Sequence, residues 1–151
     1  MQIVLYQPEI PPNTGSVARL CAATLTPLHL IEPLGFKIDD KHLKRAGLDY
    51  WEFVDLRVHG SWDQFVQHVV RGRLKYFSKK ASRSYTQAGY AEDDYLVFGP
   101  ETRGLPEEWL ARNAESTYRI PMMGTGVRSL NLSNAVSIVL YEALRQLGKT
   151  G

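Results

Sequence analysis

The sequence predicts an α/β domain with a mostly parallel sheet flanked by helices, and three observations carry that expectation. Short apolar runs such as Ile3-Val4-Leu5-Tyr6 and Tyr95-Leu96-Val97-Phe98 recur along the chain, with amphipathic stretches between them. Several of these runs are apolar at consecutive positions, as a strand covered on both faces requires and a strand with one wet face does not. The length of 151 residues, with 44% hydrophobic and 23% charged, fits one core, so residues 1–151 are read as one domain.

The elements follow in order. Strands are expected at Ile3 to Tyr6, Leu28 to Ile31, Glu52 to Val54, Leu74 to Ser78, Tyr95 to Phe98 and Thr117 to Ile120. After the first strand, Pro11-Pro12-Asn13 leads into a helix from Thr14 to Thr24, with Asn13 as N-cap and Val17, Leu20 and Cys21 on its apolar side; Arg19 projects from its middle. Ser61 and Gln64 form a capping box for a helix through about Val70, and Pro106 with Glu107 and Glu108 begins another through about Arg112. The last helix runs from Asn131 or Ser133 to Leu147, with Gly148 placed to cap its end. Leu132, Ala135, Val136, Ile138, Val139, Leu140, Ala143, Leu144 and Leu147 give it an apolar face wide enough for a second contact with another subunit, although deep burial in its own domain would look the same.

Composition narrows the function classes. No run approaches the roughly 18 apolar residues of a membrane span, and the apolar stretch after Met1 is too short for a signal-peptide core, so a cytoplasmic protein with no membrane partner is expected. A lone cysteine, Cys21, excludes an intrachain disulfide and reads as a small buried residue. His29, His42, His59 and His68 show no ligand spacing, so no metal is expected. Net charge is only +2, but the basic residues are grouped: Lys37, Lys41, Lys44 and Arg45 in one cluster, Arg71, Arg73, Lys75, Lys79, Lys80 and Arg83 in another, with Tyr76, Phe77 and Tyr85 among them. Cations interleaved with aromatics suit a phosphate backbone with exposed bases; they also suit an ordinary solvated rim around a buried strand.

Three segments break the plain α/β pattern, each where a parallel sheet builds its sites, after the carboxyl end of a strand. Pro8 to Arg19 has prolines that stiffen the strand exit and a helix start able to meet an anion. Phe98-Gly99-Pro100-Glu101-Thr102-Arg103-Gly104-Leu105-Pro106 has Gly99 where a ligand could lie against backbone and Gly104 where a positive φ is wanted, yet it matches neither the dinucleotide fingerprint nor the phosphate-binding loop of nucleotide hydrolases. Ile120 to Ala135 carries a glycine-containing loop and then Ser129, Asn131, Ser133 and Asn134, more polar side chains than one helix cap needs.

Taken in order, these segments resemble the motifs of the SPOUT methyltransferases: Asn-x-Gly-x-x-x-Arg at Asn13 to Arg19, Gly-x-Glu-x-x-Gly at Gly99 to Gly104, and Ser-Leu-Asn-x-Ser-x-Ala at Ser129 to Ala135. Residues 5–15, 46–50 and 99–106 are further similar to the TrmL (YibK) subfamily, and the likeness covers nearly the whole chain. The resemblance implies a tRNA 2'-O-methyltransferase that uses S-adenosylmethionine, releases S-adenosylhomocysteine, and modifies the wobble ribose, on cytidine or a modified uridine, in the anticodon stem-loop of leucine tRNAs. It also implies a trefoil-knotted C-terminal segment and a homodimer. Cofactor contacts would come from Phe77, Ser78, Gly99, Glu101, Gly104, Ile120, Met122, Ser129, Leu130 and Asn134. Arg19 would be the catalytic residue, contributed near the other subunit's cofactor. The resemblance gives Arg19 the role of proton acceptor or activator; because a guanidinium holds its proton at ordinary pH, orienting a phosphate or stabilising the emerging alkoxide is the alternative, and the sequence leaves the two open. Arg128, Asn134, Lys79, Lys80, Lys44 and Arg45 are candidates for RNA contact, and Tyr141 for the dimer interface. The rival expectations are an RNA-binding or assembly protein that keeps the fold without catalysis, and a SPOUT enzyme for rRNA or another tRNA position.

Overall fold

The computed structural model describes residues 1–39, 41, 50–70 and 73–151. Its strands are β1 (Gln2–Tyr6), β2 (Leu28–Ile31), β3 (Leu56–His59), β4 (Leu74–Phe77), β5 (Arg83–Ser84), β6 (Tyr95–Phe98) and β7 (Thr117–Arg119). They form one sheet in the order β3-β2-β1-β6-β4-β7-β5. Every pairing is parallel. The helices are α1 (Pro11–Thr24), α2 (Trp62–Val66), α3 (Glu107–Arg112) and α4 (Leu132–Gln146).

Parallel register turns the apolar runs into two cores. Alternate side chains point to opposite faces, so the row Leu30, Leu5, Phe98, Phe77 and Tyr118 lies on one side of the sheet. There it packs against Val17, Ala18 and Cys21 of α1 and Val136, Val139, Leu140 and Ala143 of α4. Val4, Val97 and Tyr76 lie on the other side, with Phe65 of α2, and Trp109 of α3 packs against them. Both faces are therefore dry, which is why the strands read as continuous apolar runs.

The elements differ from the sequence-based expectation in four places. Residues 51–53 form a 3-10 turn, and the third strand follows at Leu56–His59. That strand sits at the sheet edge with Arg57 and Val58 exposed, so its pattern lacks the apolar signature of a central strand. Helix α1 starts at Pro11 rather than Thr14, and its N-cap residue is Ile10, which offers no side-chain cap; prolines in the first turn cost no hydrogen bond there. Helix α2 ends at Val66, well short of Val70; the Ser61 side chain accepts from Gln64 N–H as expected, but the Gln64 amide oxygen reaches Gly60 instead of Ser61. The two-residue strand β5 has no counterpart in the expected set. Helix α4 keeps its expected form, capped by Asn131 and ended by Gly148 at φ 72°.

The second basic cluster also resolves differently. Tyr76 and Phe77 are buried core residues, not exposed stacking platforms. Lys75 is paired with the fully buried Asp94 at 2.6 Å and so serves the fold, whereas Arg73 meets Asp93 at 3.0 Å in an exposed pair. Lys44, Arg45 and Arg71 lie outside the described residues.

Candidate functional site

The strands β1, β6, β4 and β7 are neighbours in the sheet, and the segments leaving their carboxyl ends meet around one cavity of about 800 Å³. That volume falls within the range of about 300–1,000 Å³ typical of small-molecule sites. Its apolar wall includes Phe77 and Phe98, stacked with ring centroids 5.0 Å apart, together with Leu132 and Ala135 of α4.

The three unusual segments are joined by a chain of side-chain hydrogen bonds. Glu9 and Ile10 N–H groups donate to the Glu101 carboxylate at 2.9 and 2.6 Å, and Asn13 Nδ2 donates to it at 3.3 Å. Asn13 Oδ1 in turn accepts from Asn131 Nδ2 at 2.9 Å, and Asn131 Oδ1 accepts from the N–H groups of Ser133 and Asn134 at the start of α4. Glu101 thus supplies the anion that α1 lacks at its own N-terminus. A reciprocal contact closes the clasp: the Thr102 N–H and hydroxyl donate to Glu9, and these bonds hold the Glu9 carboxyl below the ordinary carboxylate range.

Gly99 is required by this loop rather than by open space for a ligand. A Cβ at Gly99 would stand 2.4 Å from Leu105 N and 2.5 Å from the Gly104 carbonyl carbon, so the expectation that its missing side chain leaves room beside the backbone for a ligand is corrected. Gly104 turns the loop with φ 68°, the positive φ the sequence suggested, and it lies in open surroundings.

Among the expected cofactor residues, Phe77, Ser78, Gly99, Glu101, Gly104, Ile120, Met122, Ser129 and Leu130 line the cavity, and so do Lys79, Lys80 and Arg128. Asn134 is outside the lining, with its backbone N–H on the Asn131 cap. Asn13, Arg103 and Asn131 line it as well. The sequence places Asn13 and Asn131 in two of the motif segments, Asn13 as a helix N-cap and Asn131 among the surplus polar side chains, without a direct part in the cavity wall, and it gives Arg103 no role. Lys79, Lys80, Arg103 and Arg128 give the cavity a cationic rim, with Lys79 donating to the Arg128 carbonyl at 3.0 Å and Lys80 paired with Glu107 at 2.5 Å.

Two expected residues lie elsewhere. Arg19 is exposed on α1, outside the cavity lining, with its guanidinium over the Tyr50 ring at 4.9 Å. Tyr141 on α4 is half exposed, beside the partly exposed Ile138. Cys21 is buried, and burial pushes its thiol up to about 12. His29 and His59 face each other across β2 and β3 with Nδ1 and Nε2 2.8 Å apart, a pairing that sequence spacing did not reveal. Among the described residues no group of three or more His, Cys, Asp or Glu could hold a metal ion.

The profile of the SpoU rRNA Methylase family matches residues 1–141. The chain belongs to that family. Among SpoU relatives, a protein of Saccharophagus degradans named tRNA (cytidine(34)-2'-O)-methyltransferase is 53% identical over 150 residues, covering 99% of this chain and 97% of the relative. A solved structure described as giving insights into the 2-OH methylation of C/U34 on tRNA is 55% identical, with a TM-score of 0.89 over 97% of this chain and 95% of that one. An AdoMet-bound rRNA methyltransferase from Sinorhizobium meliloti is 26% identical, with a TM-score of 0.82 over 97% of this chain and 56% of that one. The SpoU architecture thus includes AdoMet-bound members. The cavity in this chain fits that cofactor in kind: an aromatic and aliphatic wall for a flat base, glycine-containing loops that present backbone donors and acceptors, and a polar mouth.

Proposed function

We propose that this protein transfers a methyl group from S-adenosylmethionine to the ribose 2'-hydroxyl of the wobble nucleotide of tRNA, working as a homodimer in the cytoplasm. The observation that carries the reading is the junction of all three motif segments in one cavity, through Glu101, Asn13 and Asn131, in a chain that is 53% identical over nearly its whole length to a tRNA (cytidine(34)-2'-O)-methyltransferase. The knotted threading of residues after β7 and a preference for leucine tRNAs with cytidine or modified uridine at the wobble position belong to the same reading.

S-adenosylmethionine, when bound, supplies an electrophilic methyl group on a sulfonium. The protein's task is then alignment and help with one proton. Phe77, Gly99, Ile120 and Leu130 would hold the donor's adenosine through wall contacts and backbone groups, and Ser78, Met122 and Ser129 would fill the mouth. Holding the reacting atoms in line is the largest lever available to such a displacement. The cationic rim at Lys79, Lys80, Arg103 and Arg128 would seat the anticodon phosphates, with a salt-sensitive affinity. Arg19 points to a shared site: it lies outside its own cavity's lining, so the ribose hydroxyl it stabilises or orients is the one presented at the partner's cavity. Ile138 and Tyr141 on the outer face of α4 form the seam in this arrangement.

Mass-spectrometric mapping of 2'-O-methylated nucleosides in tRNA from a strain lacking this protein tests the reaction and the position together. Loss at the wobble nucleotide is expected, and an unchanged profile would overturn the proposal. Sedimentation should give twice 17.1 kDa; a fully active monomer would remove the shared-site element. Arg19→Ala should lower the single-turnover rate with saturating tRNA and donor, and a wild-type rate would eliminate the role given to Arg19.

A further inference from the structure

Arg19 makes an unusual contact for a residue meant to act on a developing negative charge. Its guanidinium carbon lies over the Tyr50 ring, 4.9 Å from the centroid. A carboxylate partner would neutralise the charge and occupy the N–H donors. An aromatic face engages the cation while leaving the in-plane N–H groups free for a phosphate or an alkoxide. The contact also limits the rotamer freedom of a long side chain that is otherwise exposed on α1.

Tyr50 is itself fixed to the framework. Its carbonyl accepts from Phe53 N–H at 2.9 Å, closing the 3-10 turn Trp51–Phe53. Trp51 and Val54 pack against the core cluster that contains Val17, Ala18 and Cys21 of α1. The ring is therefore carried on a turn docked to the same helix that carries Arg19.

We propose that Tyr50 is the positioning residue for Arg19: its ring holds the guanidinium in place with the hydrogen-bond donors unspent. The inference rests on the reading of Arg19 as the group that acts on the ribose hydroxyl.

The test compares Tyr50→Phe and Tyr50→Leu in the full-length protein. Tyr50→Leu should lower the single-turnover methylation rate about two- to fivefold, the range expected for losing a solvent-exposed cation–π contact. Affinity for S-adenosylhomocysteine should be unchanged, because Tyr50 lies outside the cavity lining. Tyr50→Phe keeps the ring and should retain the wild-type rate. In an Arg19→Ala background, Tyr50→Leu should cause no further loss. A wild-type rate for Tyr50→Leu, an equal loss in Tyr50→Phe, or losses that multiply in the double variant would overturn the proposal.

The side-chain NMR signals of Arg19 supply a readout apart from activity. The ring should shift its δ-protons upfield in the wild type and in Tyr50→Phe, and the shift should vanish in Tyr50→Leu. A wild-type protein that shows this shift but methylates no tRNA would sink the proposed function and, with it, the catalytic purpose of the contact. An active wild type without the shift would sink only the role of Tyr50.

Discussion

Replacing Glu101 with glutamine tests whether the site is held together by the clasp described above. One carboxylate oxygen accepts the Glu9 N–H at 2.9 Å; the other accepts the Ile10 N–H at 2.6 Å and Asn13 Nδ2 at 3.3 Å. The amide keeps the shape but loses the charge, and its NH2 group must face at least one of these donors. Losing one charge-assisted bond costs about 1.5–3 kcal/mol, and losing an anion at a helix N-terminus about 0.3–1 kcal/mol. Because the carboxylate is partly exposed, the low end of the combined range applies, about 2 kcal/mol. For a chain of this size each kcal/mol moves Tm by roughly 2–4 °C, so Glu101→Gln should melt about 4–8 °C below wild type without ligand. Misplacing the Gly99 to Leu105 loop should also weaken S-adenosylhomocysteine binding about tenfold, measured by titration calorimetry. Unchanged melting of the ligand-free variant combined with weaker binding would mean that Glu101 serves the ligand alone, and the clasp argument would fail.

Other outcomes follow from the same geometry. Gly99→Ala must move the Gly104 and Leu105 backbone by about 1 Å to relieve its contacts, and is expected to cost about 1–3 kcal/mol in urea unfolding and to weaken S-adenosylhomocysteine binding; wild-type values for both would refute the tight-return reading of the loop. His29 is held down to about 4, chiefly by burial and then by the charges of His59 and Arg57, and burial lowers His59 as well. A depressed folded value means that the unfolded chain binds the proton more readily, so this contribution to stability is complete above the ordinary value of 6.5 and is lost as pH falls toward about 4. Urea unfolding between these limits should show a decline on the order of 3 kcal/mol that His29→Gln flattens, and an equal slope in the variant would exclude the pair as its source. Cys21 should resist thiol reagents at pH 8 in the folded protein and react on unfolding; rapid labelling of the native state would contradict its burial.

Legibility of the fold followed burial. Strands β1, β2 and β6 are central, dry on both faces and continuous in apolar residues, so their bounds could be read to within a residue. Strand β3 could not, because an edge strand with Arg57 and Val58 exposed satisfies its backbone without an apolar pattern. The two residues of β5 are too few for any periodicity. Helix α1 begins early because the prolines at its first two positions need no donor partner, and the carboxylate that takes the Ile10 N–H just before it, Glu101, comes from another loop where no local rule for helix starts can see it.

The same distinction governs the site. Motif order identified the segments, but the reason they carry Asn13, Glu101 and Asn131 is a contact between residues about ninety to one hundred and twenty positions apart. Asn13 is the centre of it. Its amide donates to Glu101 and its oxygen accepts from Asn131, a pairing that only a side chain with both a donor and an acceptor can make. Aspartate there would set a second anion against Glu101, and serine would be too short to span both partners. The helix that carries Arg19 is thereby locked in register with two loops of the cavity. If Arg19 serves the partner's cavity, that register also couples each subunit's donor site to the geometry it offers the other. Asn13→Asp should therefore reduce cofactor binding and single-turnover methylation together. A variant that lost only one of the two would separate the functions this network is argued to join.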